Sequence, residues 1–398
     1  MRKEQVLLLT ILSLLISNLL KSQDIEVLKY GKYSFEVPKE YLDERENIPD
    51  FWVNTNEDVN KYLLKKVRKG KVEIIGVSAG GRPIYSVSYG KSRQWGGTTT
   101  FSGSLGFRNV EAYRGPDHDK KVYLGLSGVH GGEFEGIVGT INLISIIETG
   151  KDLRGVEWPE ITKVVKQIDR LVLIPIVNPD GRARVPIRMQ KYRDGNHLVH
   201  EYLNTGGNPD GTLIGWPQVK ALIPLDFNRP GFPGGYPNDA GVNIMHDDFL
   251  GNIQPETRAL LNITAKEKPD VTINMHTGAD YMFLLRPFAE MELQPVFDSI
   301  YRHVHSRLAS EGLLRTRNIE EESNPAKVKM GKFNLDGALN LHSGTLSIVV
   351  ESPSHGYARK SGGKLAEHTP EMLLDAQLYC HFEVLNFLVI SGGRSKWH

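Results

Sequence analysis

A histidine and a glutamate three residues apart are the first residues in this sequence that could do chemistry together. His130 follows a predicted strand, and Glu133 lies at the start of a predicted helix. An imidazole and a carboxylate arranged in this way can bind one zinc ion. Gly131 and Gly132 would let the backbone approach a ligand closely. Glu133 also has a plain structural explanation, because the helix dipole stabilises a carboxylate in the first turn of a helix.

The spacing of this pair is weak evidence by itself. The chain has 13 histidines, and about one His-x-x-Glu pair is expected by chance. A second pair is present at His368 and Glu371. That pair is explained as a helix start, with Thr369 as the N-cap and Pro370 at the first helical position. No capping pattern of this kind explains His130.

Polar residues also follow other apolar segments of the chain. An Asn-Pro-Asp-Gly sequence at 178–181 follows a continuous apolar run, His276 ends a further predicted strand, and Glu351 follows the apolar run at 346–350. An Asp-Phe-Asn-Arg segment at 226–229 lies in a region rich in loops. In α/β proteins, binding and catalytic sites are built from the loops at strand ends.

The apolar pattern predicts strands that alternate with helices around these residues. Predicted strands cover residues 72–77, 84–89, 122–126, 171–177, 271–275 and 346–350, and predicted helices cover residues 59–67, 134–148, 255–268, 293–314 and 370–389. We therefore predict an α/β fold with a mostly parallel or mixed, doubly wound sheet and helices on both faces. Residues 181–250 are rich in Gly and Pro and are predicted to form long loops over one edge of the sheet.

Composition excludes several classes of protein and several kinds of site. Of the 398 residues, 40% are hydrophobic and 24% are charged, as in globular proteins. The 48 Lys and Arg residues nearly balance the 47 Asp and Glu residues, so we expect no nucleic-acid partner. The one cysteine, Cys380, excludes an intramolecular disulfide and a thiolate metal cluster. A metal site must therefore use His, Asp and Glu.

Residues 1–23 are predicted to be a signal peptide. Arg2 and Lys3 precede an apolar run at 6–20 that is short and polar for a membrane span. The cleavage pattern is weak, which leaves an uncleaved N-terminal anchor as the alternative. We expect bacterial-type export to the periplasm or the medium, with no stable membrane association after cleavage, and the lack of disulfides fits this. Residues 24–57 are predicted to be an irregular lead-in, followed by one large domain over 58–392.

Taken in chain order, these segments resemble the zinc carboxypeptidase family, which includes the pancreatic digestive carboxypeptidases; the signal sequence favours a bacterial exported branch. The resemblance covers about residues 58 to 390 and makes 58–392 the catalytic domain. It implies that His130, Glu133 and His276 bind one zinc ion and that Glu351 is the general base.

The resemblance also implies two contacts to a substrate. Asn228 and Arg229 match the pair that binds the terminal carboxylate of a peptide, where a guanidinium can make a bidentate contact. Arg193, twelve residues after Gly181, best matches the arginine that polarises the scissile carbonyl. The alternatives for that role are Arg182, Arg184 and Arg188.

Two departures from the family pattern predict a remodelled substrate pocket. Residues 325–345 contain no tyrosine, although the pancreatic enzymes have a mobile tyrosine there. Neither Phe333 nor His342 can be assumed to replace it. The stretch between Gly181 and Asn228 is also longer than in the digestive enzymes.

The expected function is that of an exported zinc metallocarboxypeptidase that hydrolyses C-terminal peptide bonds with a zinc-activated water. The alternative is a zinc-dependent amidohydrolase or deacylase that acts on N-acyl amino acids or cell-wall peptides, so the substrate is a peptide or an amino-acid conjugate. A binding module without catalysis is a third possibility. The presence of every predicted ligand together with Glu351 argues against it.

Overall fold

The structure is a computed structural model that describes residues 24–44, 47–105, 109–190, 198–279, 282–313, 331–354, 359–361, 364–366 and 368–397. The predicted signal peptide at 1–23 lies outside the described residues. The strands are β1 (Ile25–Tyr30), β2 (Tyr33–Pro38), β3 (Lys71–Val77), β4 (Pro83–Gly90), β5 (Val122–Ser127), β6 (Arg170–Ile174), β7 (Val271–Ala279), β8 (Phe283–Leu284), β9 (Leu346–Pro353), β10 (Arg359–Ser361) and β11 (Lys364–Ala366).

The helices lie between these strands and after them. They are α1 (Asn56–Lys66), α2 (Phe101–Ser104), α3 (Val110–Arg114), α4 (Glu135–Thr149), α5 (Pro159–Val165), α6 (Pro179–Arg184), α7 (Leu198–Thr205), α8 (Pro255–Glu267), α9 (Gln294–Ser310), α10 (Leu335–Ser343) and α11 (Pro370–Ser391). Each helix and strand predicted from the apolar pattern is present, with ends that differ by up to a few residues.

The central sheet has seven strands in the order β3-β4-β6-β5-β7-β9-β8. The inner strands β6, β5, β7 and β9 run parallel to one another, while β4 and β8 pair with them in the antiparallel direction. The prediction of a mixed, mostly parallel sheet is therefore confirmed. Parallel strands end at the same edge, so the loops after β5, β6, β7 and β9 lie together.

Both faces of the sheet are covered, which explains the continuous apolar runs in its inner strands. Along β5, Tyr123 belongs to one buried cluster, and Leu124 and Leu126 belong to the other. Side chains of α4, α9 and α11 pack in the first cluster, and side chains of α8 and α10 pack in the second. Helices thus lie on both faces, as predicted.

Helix α11 is long and apolar enough to cross a membrane by length and composition. It packs instead against α4 and α9, and its apolar side chains, including Leu378 and Leu385, are buried. Its composition is therefore explained by its place in the core.

The lead-in at 24–57 differs from the irregular segment that we predicted. β1 and β2 form an antiparallel hairpin whose turn places Gly31 at a φ of 57°. The ring of Phe35 packs against Phe227 and Phe232, and the hydroxyl of Tyr30 donates to Asp239 Oδ1 at 2.7 Å. The hairpin thus supports the long loops at 206–250 from outside.

The Asn-Pro-Asp-Gly turn after β6 is fixed by one fully buried carboxylate. Asp180 Oδ1 accepts hydrogen bonds from Ser78 Oγ at 2.6 Å and from Arg82 Nη1 at 2.8 Å. Asp180 Oδ2 accepts from the backbone N–H groups of Gly80 at 2.7 Å and of Asp239 at 3.1 Å. Because this carboxylate joins three separate segments, Asp180 organises the loops and does not face a substrate.

Candidate metal centre and active site

Three side chains from neighbouring strand ends meet at the carboxyl edge of the sheet. His130 follows β5, Glu133 precedes α4, and His276 lies in β7, the strand next to β5. Their candidate ligand atoms all lie within 4.8 Å of one another. Glu133 Oε1 is 2.8 Å from His130 Nδ1, and Glu133 Oε2 is 2.9 Å from His276 Nδ1. The structure therefore brings together the three residues predicted as zinc ligands.

The electrostatics of this cluster suit a cation. All three side chains are buried, with at most 5% of any residue exposed. Burial raises the pKa of Glu133, but the two adjacent imidazoles outweigh burial and hold this pKa well below its usual range. Burial lowers the pKa of His130, which favours the neutral imidazole that a metal requires. Burial also lowers the pKa of His276, but the charges of Glu133 and Glu351 outweigh it and raise this pKa to about 9, so a bound metal would replace that proton. Two imidazoles and an ionised carboxylate are a donor set that zinc prefers.

Neighbouring groups orient the three side chains. His130 Nε2 lies 3.1 Å from Asn243 Oδ1, so this nitrogen can donate while Nδ1 faces the other ligands. Glu133 accepts hydrogen bonds from the Thr277 backbone N–H at 3.1 Å and from Asn204 Nδ2 at 3.4 Å. Partners of this kind fix the tautomer of a ligating histidine and the direction of a ligating carboxylate. The residues present therefore fit a bound zinc ion.

Gly131 and Gly132 serve packing rather than ligand access, which corrects the expectation from the sequence. A Cβ at Gly131 would lie 2.0 Å from the carbonyl carbon of Gly181. A Cβ at Gly132 would lie 2.3 Å from Asn204 Oδ1. The turn between the first two ligands thus sits directly on the turn after β6.

Glu351 lies beside the cluster without belonging to it. It is paired with His276 in the register of β9 and β7, and it lines the same cavity as His130 and His276. Burial raises the pKa of Glu351; the charge of Glu133 raises it further, and that of His276 opposes the shift. A carboxyl group with a raised pKa can exchange a proton near neutral pH.

The cavity above these residues is large enough for a peptide end. Its volume is about 670 Å³. Side chains that line it, besides the histidine ligands and Glu351, include His200, Trp216, Lys220, Tyr236 and His246. The ring of Tyr236 stacks on the ring of His130, with centroids 3.7 Å apart.

The structure does not bring the predicted carboxylate-binding pair into this cavity. Asn228 and Arg229 are both exposed, and neither is among its described lining residues. The side chain of Arg229 is 80% exposed and lies 3.7 Å from Asp226. The side chain of Asn228 donates to the same aspartate at 2.8 Å.

The arginine predicted to polarise the scissile carbonyl, Arg193, lies outside the described residues. Its three alternatives are engaged elsewhere. Arg182 donates to the backbone carbonyls of Asn54, Val185 and Ile187, and Arg184 donates to those of Gly234 and Pro237. Arg188 is half exposed and lies near Glu44. None of the three is among the described lining residues of the cavity.

Several residues of the site were not anticipated from the sequence. His200 and Asn204 lie on α7, and Asn243 caps the short helix Ile244–His246. They come from the long loop region at 181–250, whose Gly and Pro content indicated loops but not their course. The one usable signal was the general rule that sites are built from long loops at strand ends.

Comparison with known proteins agrees with this geometry. The family model for zinc carboxypeptidases matches residues 65–347, which include the three candidate metal ligands and end before Glu351. The chain therefore belongs to the zinc carboxypeptidase family and is a zinc carboxypeptidase enzyme. No curated protein matches it by sequence.

Solved structures with a similar fold include metallocarboxypeptidases. The metallo-carboxypeptidase of Pseudomonas aeruginosa, solved in complex with (2-guanidinoethylmercapto)succinic acid, is 14% identical with a TM-score of 0.50, covering 92% of this chain and 79% of its own. The metallo-carboxypeptidase of Burkholderia cenocepacia is also 14% identical, with a TM-score of 0.49 and coverage of 92% and 77%. Carboxypeptidase A of Helicoverpa armigera is 12% identical, with a TM-score of 0.48 and coverage of 89% and 77%.

Proposed function

We propose that this protein is an exported metallocarboxypeptidase that binds one zinc ion through His130, Glu133 and His276. It hydrolyses the C-terminal peptide bond of its substrate, with Glu351 as the general base. The observation that supports this most directly is the buried His-Glu-His cluster with Glu351 beside it in one cavity.

Zinc in this site would supply a Lewis acid that makes a water molecule a better nucleophile near neutral pH. Glu351 takes a proton from the attacking water and later delivers it to the leaving nitrogen. Its burial next to the cluster keeps both its protonated and its ionised form accessible near neutral pH. Glu133, held ionised by the two imidazoles, stays a ligand and takes no part in proton transfer.

Asn228 and Arg229 remain the predicted contacts to the terminal carboxylate, and Arg193 the predicted contact to the scissile carbonyl. For Asn228 and Arg229 to act in this way, their loop would have to move, because both are exposed outside the described cavity. Export is proposed from residues 1–23 alone. It is tested by N-terminal sequencing of the protein recovered from the periplasm or the medium, where the expected mature start is near residue 24.

A substrate panel tests the activity. Peptides with a free C-terminus, the same peptides amidated, and N-acyl amino acids are each incubated with and without a zinc chelator. Stepwise release of C-terminal residues that stops with chelator supports the proposal. Release of a carboxylic acid from N-acyl amino acids, without cleavage of any peptide, would contradict the peptidase assignment in favour of a deacylase.

A further inference from the structure

Lys220 lies in the wall of the metal cavity without a carboxylate partner among the described residues. It belongs to the short helix Gln218–Ala221, and its Nζ lies 4.0 Å from the centroid of the Trp216 ring. The ring covers one side of the ammonium group, while the cavity lies beside it. A cation held over an aromatic ring keeps its charge available to a ligand.

Ring contacts connect this lysine to the metal centre. The ring of Trp216 lies 6.4 Å from that of Tyr236 and 6.2 Å from that of His246. Tyr236 in turn stacks on the ligand His130. Lys220 and the metal ligands therefore belong to one continuous wall, along which a single substrate can make contact with both.

A second lysine lines the same cavity. Lys332 precedes α10, and it too has no carboxylate partner among the described residues. Burial lowers the pKa of Lys220, and the charge of Lys332 lowers it further, so the two ammonium groups are close enough to repel each other. Two like charges that line one cavity favour the entry of an anion.

Two other charged groups that line the cavity, Arg286 and Asp336, are engaged with neighbouring side chains. The guanidinium of Arg286 donates to Gln294 at 3.0 Å and to Asp298. Asp336 accepts hydrogen bonds from Ser347 at 2.6 Å and from Asn274 at 3.0 Å. Neither Glu201 nor Glu351 forms a described ion pair with Lys220 or Lys332. Among the described lining residues, the two lysines are therefore the cations left for a ligand.

We propose that Lys220 and Lys332 form an anion subsite that binds a carboxylate of the substrate residue to be released, either its α-carboxylate or an acidic side chain. This subsite rests on the proposed function and adds to it, because it makes two residues inside the metal cavity responsible for substrate selection. An ammonium group suits this task, since it pairs with a carboxylate as a point charge in a range of geometries.

The test uses full-length protein with zinc added and the variants Lys220→Met, Lys332→Met and the double variant. Lys66→Met is the matched control, because Lys66 is exposed at the end of α1 and lines no part of the cavity. Four blocked peptides differ only in the last residue: alanine or glutamate, each as the free acid or as the α-amide. We expect the cavity variants to lower kcat/KM by about tenfold to a hundredfold for the preferred carboxylate, mainly through KM.

The pattern of losses identifies the carboxylate. If kcat/KM falls for both free-acid peptides and for neither amide, the subsite binds the α-carboxylate. If kcat/KM falls for both peptides that end in glutamate and for neither that ends in alanine, the subsite binds the acidic side chain. If all lysine variants keep the wild-type ratios among the four peptides, the proposal is overturned. The variant Arg229→Ala, assayed on the same four peptides, then shows whether the exposed arginine is responsible for the preference for a free carboxylate.

Calorimetry gives a readout that does not depend on turnover. N-acetyl-L-glutamate and N-acetyl-L-alaninamide are titrated into zinc-loaded wild-type and variant proteins, with circular dichroism to check folding. Weaker binding of N-acetyl-L-glutamate by the cavity variants, with Lys66→Met unchanged, supports the subsite even if no peptide is cleaved. A wild-type protein that binds this ligand but cleaves nothing contradicts the proposed function alone. Equal binding by all variants contradicts the subsite alone.

Discussion

Glu351 and His276 are direct neighbours in the parallel pairing of β9 with β7. In a parallel pair, residues in register point to the same face of the sheet, so a candidate base and a metal ligand are placed side by side by backbone hydrogen bonds. Neither residue depends on a loop for this placement. The separation between the candidate base and the metal ligand is thus set by the pairing of two strands in the central sheet.

Replacing Glu351 by Gln should remove the base and preserve the metal centre. The amide has nearly the same shape as the carboxylic acid but cannot take a proton. We expect kcat to fall by about a hundredfold to ten-thousandfold, with KM and zinc content little changed. Steady-state kinetics and metal analysis of the same preparation measure both. Loss of zinc from this variant would instead make Glu351 a ligand.

Alanine at His130 or His276 should abolish zinc binding and activity together. Two of three protein ligands do not hold zinc tightly, and Glu133 would lose the imidazole that keeps it ionised. Metal analysis after dialysis measures the zinc content. His342→Ala is the control, because this histidine is exposed at the end of α10. A His130→Ala protein with full zinc content would refute the assigned site.

Asn243→Ala should weaken zinc binding without removing a ligand. It takes away the acceptor 3.1 Å from His130 Nε2, which holds the ring in its ligating orientation. The loss of such a partner typically lowers metal affinity about 10–100-fold. Competition with a chromophoric chelator measures the change, with Asn252→Ala, at an exposed position, as the control. Unchanged affinity would mean that the stacked Tyr236 ring alone orients His130.

Glu148→Gln should make the protein less stable at neutral pH. Glu148 accepts hydrogen bonds from the backbone N–H groups of residues 68–70 and from Tyr89. Burial raises its pKa, but these donors outweigh burial and hold the pKa below its usual value. The stability that this provides is present above the unfolded pKa of about 4.3 and is lost as pH falls through the folded pKa. We expect a loss of about 1–3 kcal/mol at pH 7.

Urea unfolding at pH 7 and near pH 3 checks this sign. The difference in the free energy of unfolding between Glu148→Gln and the wild type should be large at pH 7 and should shrink in acid. The exposed Glu157 provides a control, since Glu157→Gln should change little at either pH. A difference that stays constant with pH would mean that the charge of Glu148 contributes nothing.

The sheet could be predicted because its signals are local, and the metal ligands could be predicted because the segments that contain them, taken in chain order, resemble a known family. Continuous apolar runs mark parallel strands that are buried on both faces, and the ends of such strands are placed by the sheet itself. His276 and Glu351 each end such a run, and the pairing of β7 with β9 in the structure brings them together. The hairpin of β1 and β2 also has a local signal, the Tyr-Gly-Lys-Tyr turn at 30–33, because Gly31 can take the positive φ that such a turn requires.

Much of the cavity wall could not be predicted because many of its residues come from loops. Asn228 and Arg229 form a plausible pair in sequence, but the tertiary packing of their loop leaves both side chains in solvent. Lys220 and Asn243 carry no motif of their own. They reach the site because Asp180 and the N-terminal hairpin fix the loops that contain them, and such long-range contacts leave no periodic pattern in the sequence.

The N-terminal hairpin lies outside the residues that match the family but packs as part of the same folded domain. The family match begins at residue 65. Before that point, however, Phe35 packs against Phe227 and Phe232, and the hydroxyl of Tyr30 donates a hydrogen bond to Asp239. A protein that begins at residue 65 would expose these aromatic rings and leave the loop that contains Tyr236 unsupported. Such a fragment would be expected to aggregate, although every predicted metal ligand is still present. The residues that the family model matches are therefore fewer than the residues that this chain needs in order to fold.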